Sequence, residues 1–220
     1  MMKLISVNVS LPKPMEFQGY TVLTGIFKEP VEGRVRVGRL NLEGDRQADL
    51  SVHGGPHQAV YAYPFEHYES WQKELGRDNF TFGQFGENLT VSGMVETQVC
   101  IGDVFRIGSA LFQVTQPRVP CFKLATKMGS DEFPDLFMES ARSGYYLRVM
   151  EEGEVGAGDL IYLENRSAMG ITVESIFRLA FFDRNNVEKL RKAVCLASLS
   201  PGWLQKFERR LEELERETGS

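Results

Sequence analysis

The hydrophobic periodicity of this chain changes character near residue 165, and that change limits its architecture more than any single motif. Up to about residue 163 the apolar residues fall in short runs at 3–10, 20–27, 34–40, 59–63, 104–107, 110–116, 144–150 and 159–163. Runs of this length bounded by turn residues read as strands, and Gly44-Asp45, Gly102-Asp103, Gly153 and Gly158-Asp159 supply the corners. Many short strands with glycine-rich corners favour a barrel over a layered parallel sheet. Three helices are expected among them. One starts at Pro64 with Phe65, Tyr68 and Leu75 on a common face, one follows Cys121, and one covers residues 134–141.

Beyond residue 167 the spacing becomes helical. Val187, Leu190, Val194 and Ala197 recur at intervals of three and four, as do Leu204, Phe207, Leu211 and Leu214. A shorter helix over 172–182 carries Val173, Ile176, Phe177 and Ala180, and Ser200-Pro201 supplies an N-cap and first-turn proline for the last helix. The expected fold class is mainly β with helices: a β-barrel over residues 1–165, then a small three-helix bundle over 168–220. Trp203, at the start of the last helix, is expected to anchor that helix in its own core rather than to cover a cleft on the barrel.

Composition narrows the function. A net charge of −5 argues against nucleic acid as a general partner. The three cysteines, Cys100, Cys121 and Cys195, are widely spaced and odd in number, which argues against a disulfide framework and against a zinc or iron–sulfur site built from them alone. The N-terminal run alternates like a strand and lacks the apolar stretch of a signal peptide. No apolar run approaches membrane-spanning length, so no membrane partner is expected and a reducing cytoplasm is the natural setting.

Two segments carry candidate chemistry. In Gln116-Pro117-Arg118-Val119-Pro120-Cys121-Phe122-Lys123 a thiol has cations on both sides and prolines stiffening its approach. Cationic neighbours favour the thiolate, the form that attacks electrophiles or binds soft metals. An ordinary buried cysteine is the competing reading. In the second segment His53-Gly54-Gly55-Pro56-His57 places two histidines around a glycine pair. Such a turn lets backbone N–H groups approach an anion, while the histidines donate protons or bind metal. A plain tight turn with surface histidines is the alternative. Arg34 and Arg36 alternate with valines, either lining the same pocket or solvating the barrel exterior. In Phe85-Gly86-Glu87-Asn88 the carboxylate reads as a loop-fixing group, whereas Asn88 is equally open to a site role. Ser143-Gly144-Tyr145-Tyr146 is a candidate wall of the same cleft.

Taken in order, Gly44-Asp45, Ala48-Asp49, His53-Gly54-Gly55, Phe85-Gly86-Glu87-Asn88-Leu89, Ile101-Gly102-Asp103, Gln116-Pro117-Arg118, Pro120-Cys121, Lys123-Leu124 and Gly158-Asp159 resemble a MOSC-domain protein (molybdenum cofactor sulfurase C-terminal domain). With the helical tail, the whole chain resembles the bacterial YiiM type. The resemblance implies binding of the molybdenum cofactor as Mo-molybdopterin, the mononucleotide form without an appended nucleotide, with Cys121 as the metal ligand. It further implies reduction of N-hydroxylated compounds, such as hydroxylaminopurines and amidoximes, to amines. His53 or His57 is then the candidate proton donor. Arg34, Arg46, His53, Gly54, Gly55, His57, Asn88, Arg118 and Lys123 are the candidate cofactor contacts. A family-level association with pyridoxal phosphate binding comes with the resemblance. With no flavin, nicotinamide or iron–sulfur fingerprint in the chain, electrons are expected from a flavin-dependent reductase partner, with the helical tail as one docking surface. A homodimer is the commonest closed assembly for such a chain. A non-catalytic cofactor carrier and a persulfide-based sulfur-transfer protein are the alternatives.

Overall fold

A computed structural model describes residues 1–48 and 54–218. Its strands are β1 (Lys3–Val9), β2 (Lys13–Phe17), β3 (Tyr20–Thr24), β4 (Glu29–Pro30), β5 (Arg34–Val37), β6 (Val60–Pro64), β7 (Leu89–Ser92), β8 (Val104–Ile107), β9 (Ala110–Pro117), β10 (Tyr145–Glu151), β11 (Gly153–Gly156) and β12 (Ile161–Asn165). The helices are α1 (Glu66–Leu75), α2 (Phe122–Met128), α3 (Phe133–Ser140), α4 (Val173–Phe181), α5 (Val187–Ala193) and α6 (Pro201–Thr218).

Eight strands form one sheet in the order β12-β8-β9-β10-β6-β7-β1-β4. All neighbours are antiparallel except β6 and β7, which α1 connects as a crossover. The sheet curls until β1, the strand beside one edge, reaches the start of β12 at the other. Leu4 N–H donates to the Asp159 carbonyl (2.9 Å), and Ile161 N–H donates to the Met2 carbonyl (3.0 Å). These bonds make a short seam between β1 and the start of β12. Strands β5 and β11 pair separately, and β2 and β3 form a hairpin arm. Phe17 on that arm lies 4.4 Å, centroid to centroid, from Phe122 at the start of α2.

Strands β2, β4, β7 and β11 are additions to the sequence reading. Each is short or carries charged and small residues, so alternation alone does not mark it. Helix α1 begins at Glu66 rather than Pro64, because Pro64 closes β6 opposite Val91. Its buried residues are Tyr68 and Trp71. Phe65 precedes the helix, where its N–H donates to the Val91 carbonyl (2.7 Å), and its ring, 42% exposed, packs 5.9 Å from that of Tyr68 as the expected face required.

Two apolar clusters hold the chain. One is aromatic, with Tyr61, Tyr63, Tyr68, Trp71, Phe85, Phe133 and Phe137 packed between β6, α1 and α3. The other runs without a break from the barrel interior into the helical region. It joins Phe112 and Val114 of β9 to Ile176 and Ala180 of α4, Leu190 of α5, and Trp203 and Phe207 of α6. The three-helix segment therefore completes the barrel's core and does not hang from it as a separate body. Thr172 caps α4 by accepting from Ser175 N–H (3.1 Å), and Asn186 caps α5 by accepting from Lys189 N–H (3.1 Å). Among the described residues no helix is long and apolar enough to cross a membrane.

The shared core predicts that damage in α4 is felt by the whole molecule. Ile176→Ala should cost about 2–5 kcal/mol. Urea unfolding followed by helical circular dichroism and by fluorescence should show one coincident transition at a lowered midpoint. Separate transitions would mean the helices fold apart from the barrel.

Candidate functional site

Strand β9 delivers the thiol. The strand ends at Pro117, the chain turns through Val119 and Pro120, and Cys121 occupies the extended N-cap position of α2. Cys121 is half-buried and in no disulfide. It opens onto a cleft of about 690 Å³, counting its solvent-open mouth. Among the described residues four cations line that cleft, Lys28, Arg46, Arg118 and Lys123, against a single carboxylate, Asp45.

That carboxylate is already committed. Asp45 forms a buried ion pair with Lys28, accepts Ser10 N–H (2.9 Å), and accepts Asn88 Nδ2 (2.9 Å). Burial lowers the Lys28 pKa even though Asp45 acts in the opposite direction. Asn88 in turn accepts Tyr61 N–H at its Oδ1 (3.1 Å) and donates to the Asn8 carbonyl (3.3 Å). Asn88 thus lines the cleft as a structural clasp. Gly25 makes the clasp possible: a Cβ there would stand 2.5 Å from the Arg46 carbonyl oxygen.

Arg118 rests on two aromatic rings. It is 5% exposed, and its guanidinium carbon lies 5.1 Å from the Tyr61 ring centroid and 5.4 Å from that of Phe137. Its Nη1 is buried with no hydrogen-bond partner among the described residues. A buried donor left unmet costs about 1–3 kcal/mol or more, which an anion in the cleft would recover. Tyr146, on the cleft wall, has its phenol pKa raised by burial, with Arg118 opposing the shift.

The structure groups Arg46, Gly54, Asn88, Arg118, Cys121 and Lys123 around this one cleft. It does not place Arg34 there. Arg34 on β5 binds Asp159 (2.6 Å) and the Glu154 carbonyl (2.7 Å) on the barrel exterior, the second of the two roles its alternation allowed. Gly55 sits beside the cleft at φ 80° and leads into the 3-10 turn Pro56–Gln58. His57, in that turn, faces an adjoining cleft. Its carbonyl accepts Thr115 Oγ1 (2.6 Å), and burial together with Arg148 holds its imidazole below the usual histidine value. His53 lies outside the described residues. Glu87 is buried and accepts Gly83 N–H (2.9 Å), Phe85 N–H (3.0 Å) and Thr90 Oγ1 (2.9 Å), the loop-fixing role expected of it. Lys28, Gln58 and Tyr61 are cleft residues that sequence reasoning missed. A lone lysine before Glu-Pro carries no motif, and only the Gly25-Ile26 turn beside it offers a signal.

The comparisons with known proteins agree along the whole chain. Residues 49–162 match the MOSC domain family, and residues 171–214 match the YiiM-like 3-alpha helix domain. The uncharacterized protein YflK of Bacillus subtilis is 42% identical, across 96% of this chain and 95% of its own. The crystal structure of YiiM from Geobacillus stearothermophilus superposes at a TM-score of 0.81 with 34% identity, covering 96% of this chain and 100% of that one. A protein of Gibberella moniliformis called Reductase is 34% identical over 67% of this chain, which spans 27% of that longer protein.

The clasp should show itself in coupling. Asp45→Asn should cost about 3–5 kcal/mol, because it strands buried Lys28. The double variant Lys28→Met/Asp45→Asn should cost less than the two single losses summed, as read from urea midpoints; strict additivity would dismiss the pair. Lys127 adds a pH signature. It donates to the carbonyls of Ile26 (2.9 Å) and Gly83, and burial pushes its pKa down to about 8. Between that value and the unfolded value of about 10.4 the unfolded chain holds a proton the folded chain has lost. Wild-type stability relative to Lys127→Met should therefore rise with pH across this window and stay flat below it.

Proposed function

We infer the function from one premise: the chain belongs to the MOSC family, in the form that carries a YiiM-like three-helix domain. Membership gives it a role connected with the molybdenum cofactor. The finer reading is that it reduces N-hydroxylated compounds to amines with that cofactor bound in the Cys121 cleft. The observation that carries this reading is the charge of the cleft. Among the described residues one thiol shares the cleft with four cations and one carboxylate, Asp45, which is used internally, and buried Arg118 still has a donor to give.

Those residues fit the cofactor. Mo-molybdopterin is an anion at its phosphate and brings a metal already held by sulfur, to which a protein thiolate would be a suited further ligand. No grouping of three His, Cys, Asp or Glu side chains is needed, and none occurs among the described residues. Cys121 would hold the metal. Arg118, Lys123 and Arg46 would hold the phosphate end by charge-assisted hydrogen bonds, joined by the backbone at Gly54. When bound, the cofactor supplies a two-electron couple able to cleave an N–O bond.

The net reaction is R–NH–OH + 2 e⁻ + 2 H⁺ → R–NH₂ + H₂O. The protein's share is to orient the N–O group beside Cys121 and to bring protons to the leaving oxygen. His57 is the described candidate donor. Held largely neutral at pH 7, it would pass a proton on from solvent rather than store one. Electrons come from a flavin-dependent reductase partner, consistent with a MOSC-like stretch forming part of the longer fungal reductase. Pyridoxal phosphate has no part in this reading.

Metal analysis tests it directly. Protein purified from a host that makes the cofactor should contain near-stoichiometric molybdenum, Cys121→Ser should lose it, and Arg118→Met should load poorly. The loaded protein should turn over a hydroxylaminopurine with a small chemical reductant. Molybdenum without turnover would identify a carrier instead. No molybdenum, with a one-sulfur mass adduct on Cys121, would point to persulfide chemistry.

A further inference from the structure

Most cations of the three-helix domain are paired. Arg178, Lys189, Arg191, Lys192, Arg210 and Arg216 each form an ion pair with a nearby carboxylate. Arg184, Lys206 and Arg209 form none among the described residues, and all three line one cavity between α4, α5 and α6. Arg210 joins them there. Its Nη1 donates to Glu213 (2.9 Å) and its Nη2 to Asn185 Oδ1 (2.6 Å), which leaves a buried Nε with no partner among the described residues.

A shortage of carboxylates does not explain this. Glu208, Glu212, Glu215 and Glu217 stand on α6 as well, yet the only carboxylate described in the cavity is Glu213, which Arg210 already binds. Burial, with Arg184 and Arg209 nearby, lowers the Lys206 pKa. One exposed arginine is ordinary solvated surface. Three unpaired cations drawn to one hollow from two parts of the chain make a positive field on a protein of net charge −5. An apolar anchor stands beside them. Phe182, at the end of α4, is 53% exposed and lines the adjoining hollow with Arg184 and Arg210. An exposed aromatic among arginines is the composition of a protein-binding hot spot, and a small anion has no use for it.

Resting on the reductase reading above, we propose that this face is where the electron donor docks, an acidic flavoprotein whose carboxylates meet Arg184, Lys206 and Arg209 around Phe182. Such a partner must arrive and leave at every turnover, and transient electron-transfer contacts are small and steered by charge. Its share per turnover is FlH₂ → Fl + 2 e⁻ + 2 H⁺, where Fl is its flavin, which supplies the electrons and protons that the net reaction above consumes. The location suits this role. Lys206 also lines the second cleft, which holds His57 and shares Gly54, Gln58 and Val119 with the cleft of Cys121. A partner seated over Lys206 stands one cleft away from the thiol.

Flavodoxin, an acidic FMN protein, is the probe. In its oxidised form it should bind the full-length protein at low salt, with a Kd that weakens as salt is added. Arg184→Glu/Arg209→Glu should raise that Kd about tenfold or more and flatten its salt dependence, and Phe182→Ala should raise it about fivefold. Arg178→Glu/Lys192→Glu makes the same change of net charge away from the cavity and should leave the Kd within about twofold. In molybdenum-loaded protein the cavity variant should lose turnover driven by reduced flavodoxin, yet keep its metal content, melting temperature and turnover with dithionite. Binding to wild type that is absent or indifferent to salt, or equal weakening by both double variants, would overturn the proposal. So would binding of inorganic pyrophosphate that vanishes in Arg184→Glu/Arg209→Glu while flavodoxin binding survives, which would make the cavity a small-anion site. Loaded wild-type protein that is inert with dithionite as well would instead sink the reductase reading, leaving the Kd series to judge the surface.

Discussion

The buried pair of Lys28 and Asp45 is the constraint on which the site depends. Through one carboxylate, the end of β1, the segment 24–28, the Gly44–Arg46 corner and the Asn88 turn are fixed to one another. Burial lowers the lysine pKa in spite of the ion pair, so desolvation outweighs the attraction and the pair is a poor source of stability. Its value lies in geometry and in charge. By neutralising Lys28, Asp45 leaves no free carboxylate among the described cleft residues to answer Arg46, Arg118 and Lys123. The cleft is thereby held positive inside a protein whose net charge is −5.

Strand β9 carries that arrangement to the rest of the molecule. Its last residues lead into Arg118 and Cys121, Thr115 holds the His57 carbonyl, and Gln116 lines the second cleft. Phe112 and Val114 of the same strand enter the core shared with α4 and α6. One eight-residue strand therefore sets the thiol, the histidine turn and the helical wall relative to one another. The aromatic cluster around Trp71 supports α3 and the Tyr61 and Phe137 rings on which Arg118 rests.

Where the sequence was legible, a local signal and the tertiary fold agreed. The period change near 165, the alternating cores of β9 and β10, the first-turn proline of α6 and the cation-flanked Cys121 all express local rules, and the helices and strands they mark are present. The strands β4 and β11 escaped because pairing, not propensity, makes them. Asn88 and Asp45 stood out as residues, but their joint role depends on partners 43 positions apart, which no spacing rule connects. Arg34 shows the same limit from the other side. Its alternation with valine fixed a face of β5 without saying whether that face met the cleft. Lys28 had no motif at all, since its importance comes entirely from burial beside Asp45.

The two adjoining clefts differ in their physics. An anion is best held where cations are desolvated and pre-oriented, because hydrogen bonds to charge gain most in a site closed to water. The Cys121 cleft has that character, with Arg118 and Lys123 buried in its wall. The adjoining cleft instead sets the aromatic faces of Phe181 and Trp203 opposite the amides of Gln58 and Gln116. Gly54, Gln58 and Val119 line both, so the two keep their relation only if the helices sit rigidly on the barrel. The unbroken core from Val114 through Ile176 to Trp203 meets that requirement.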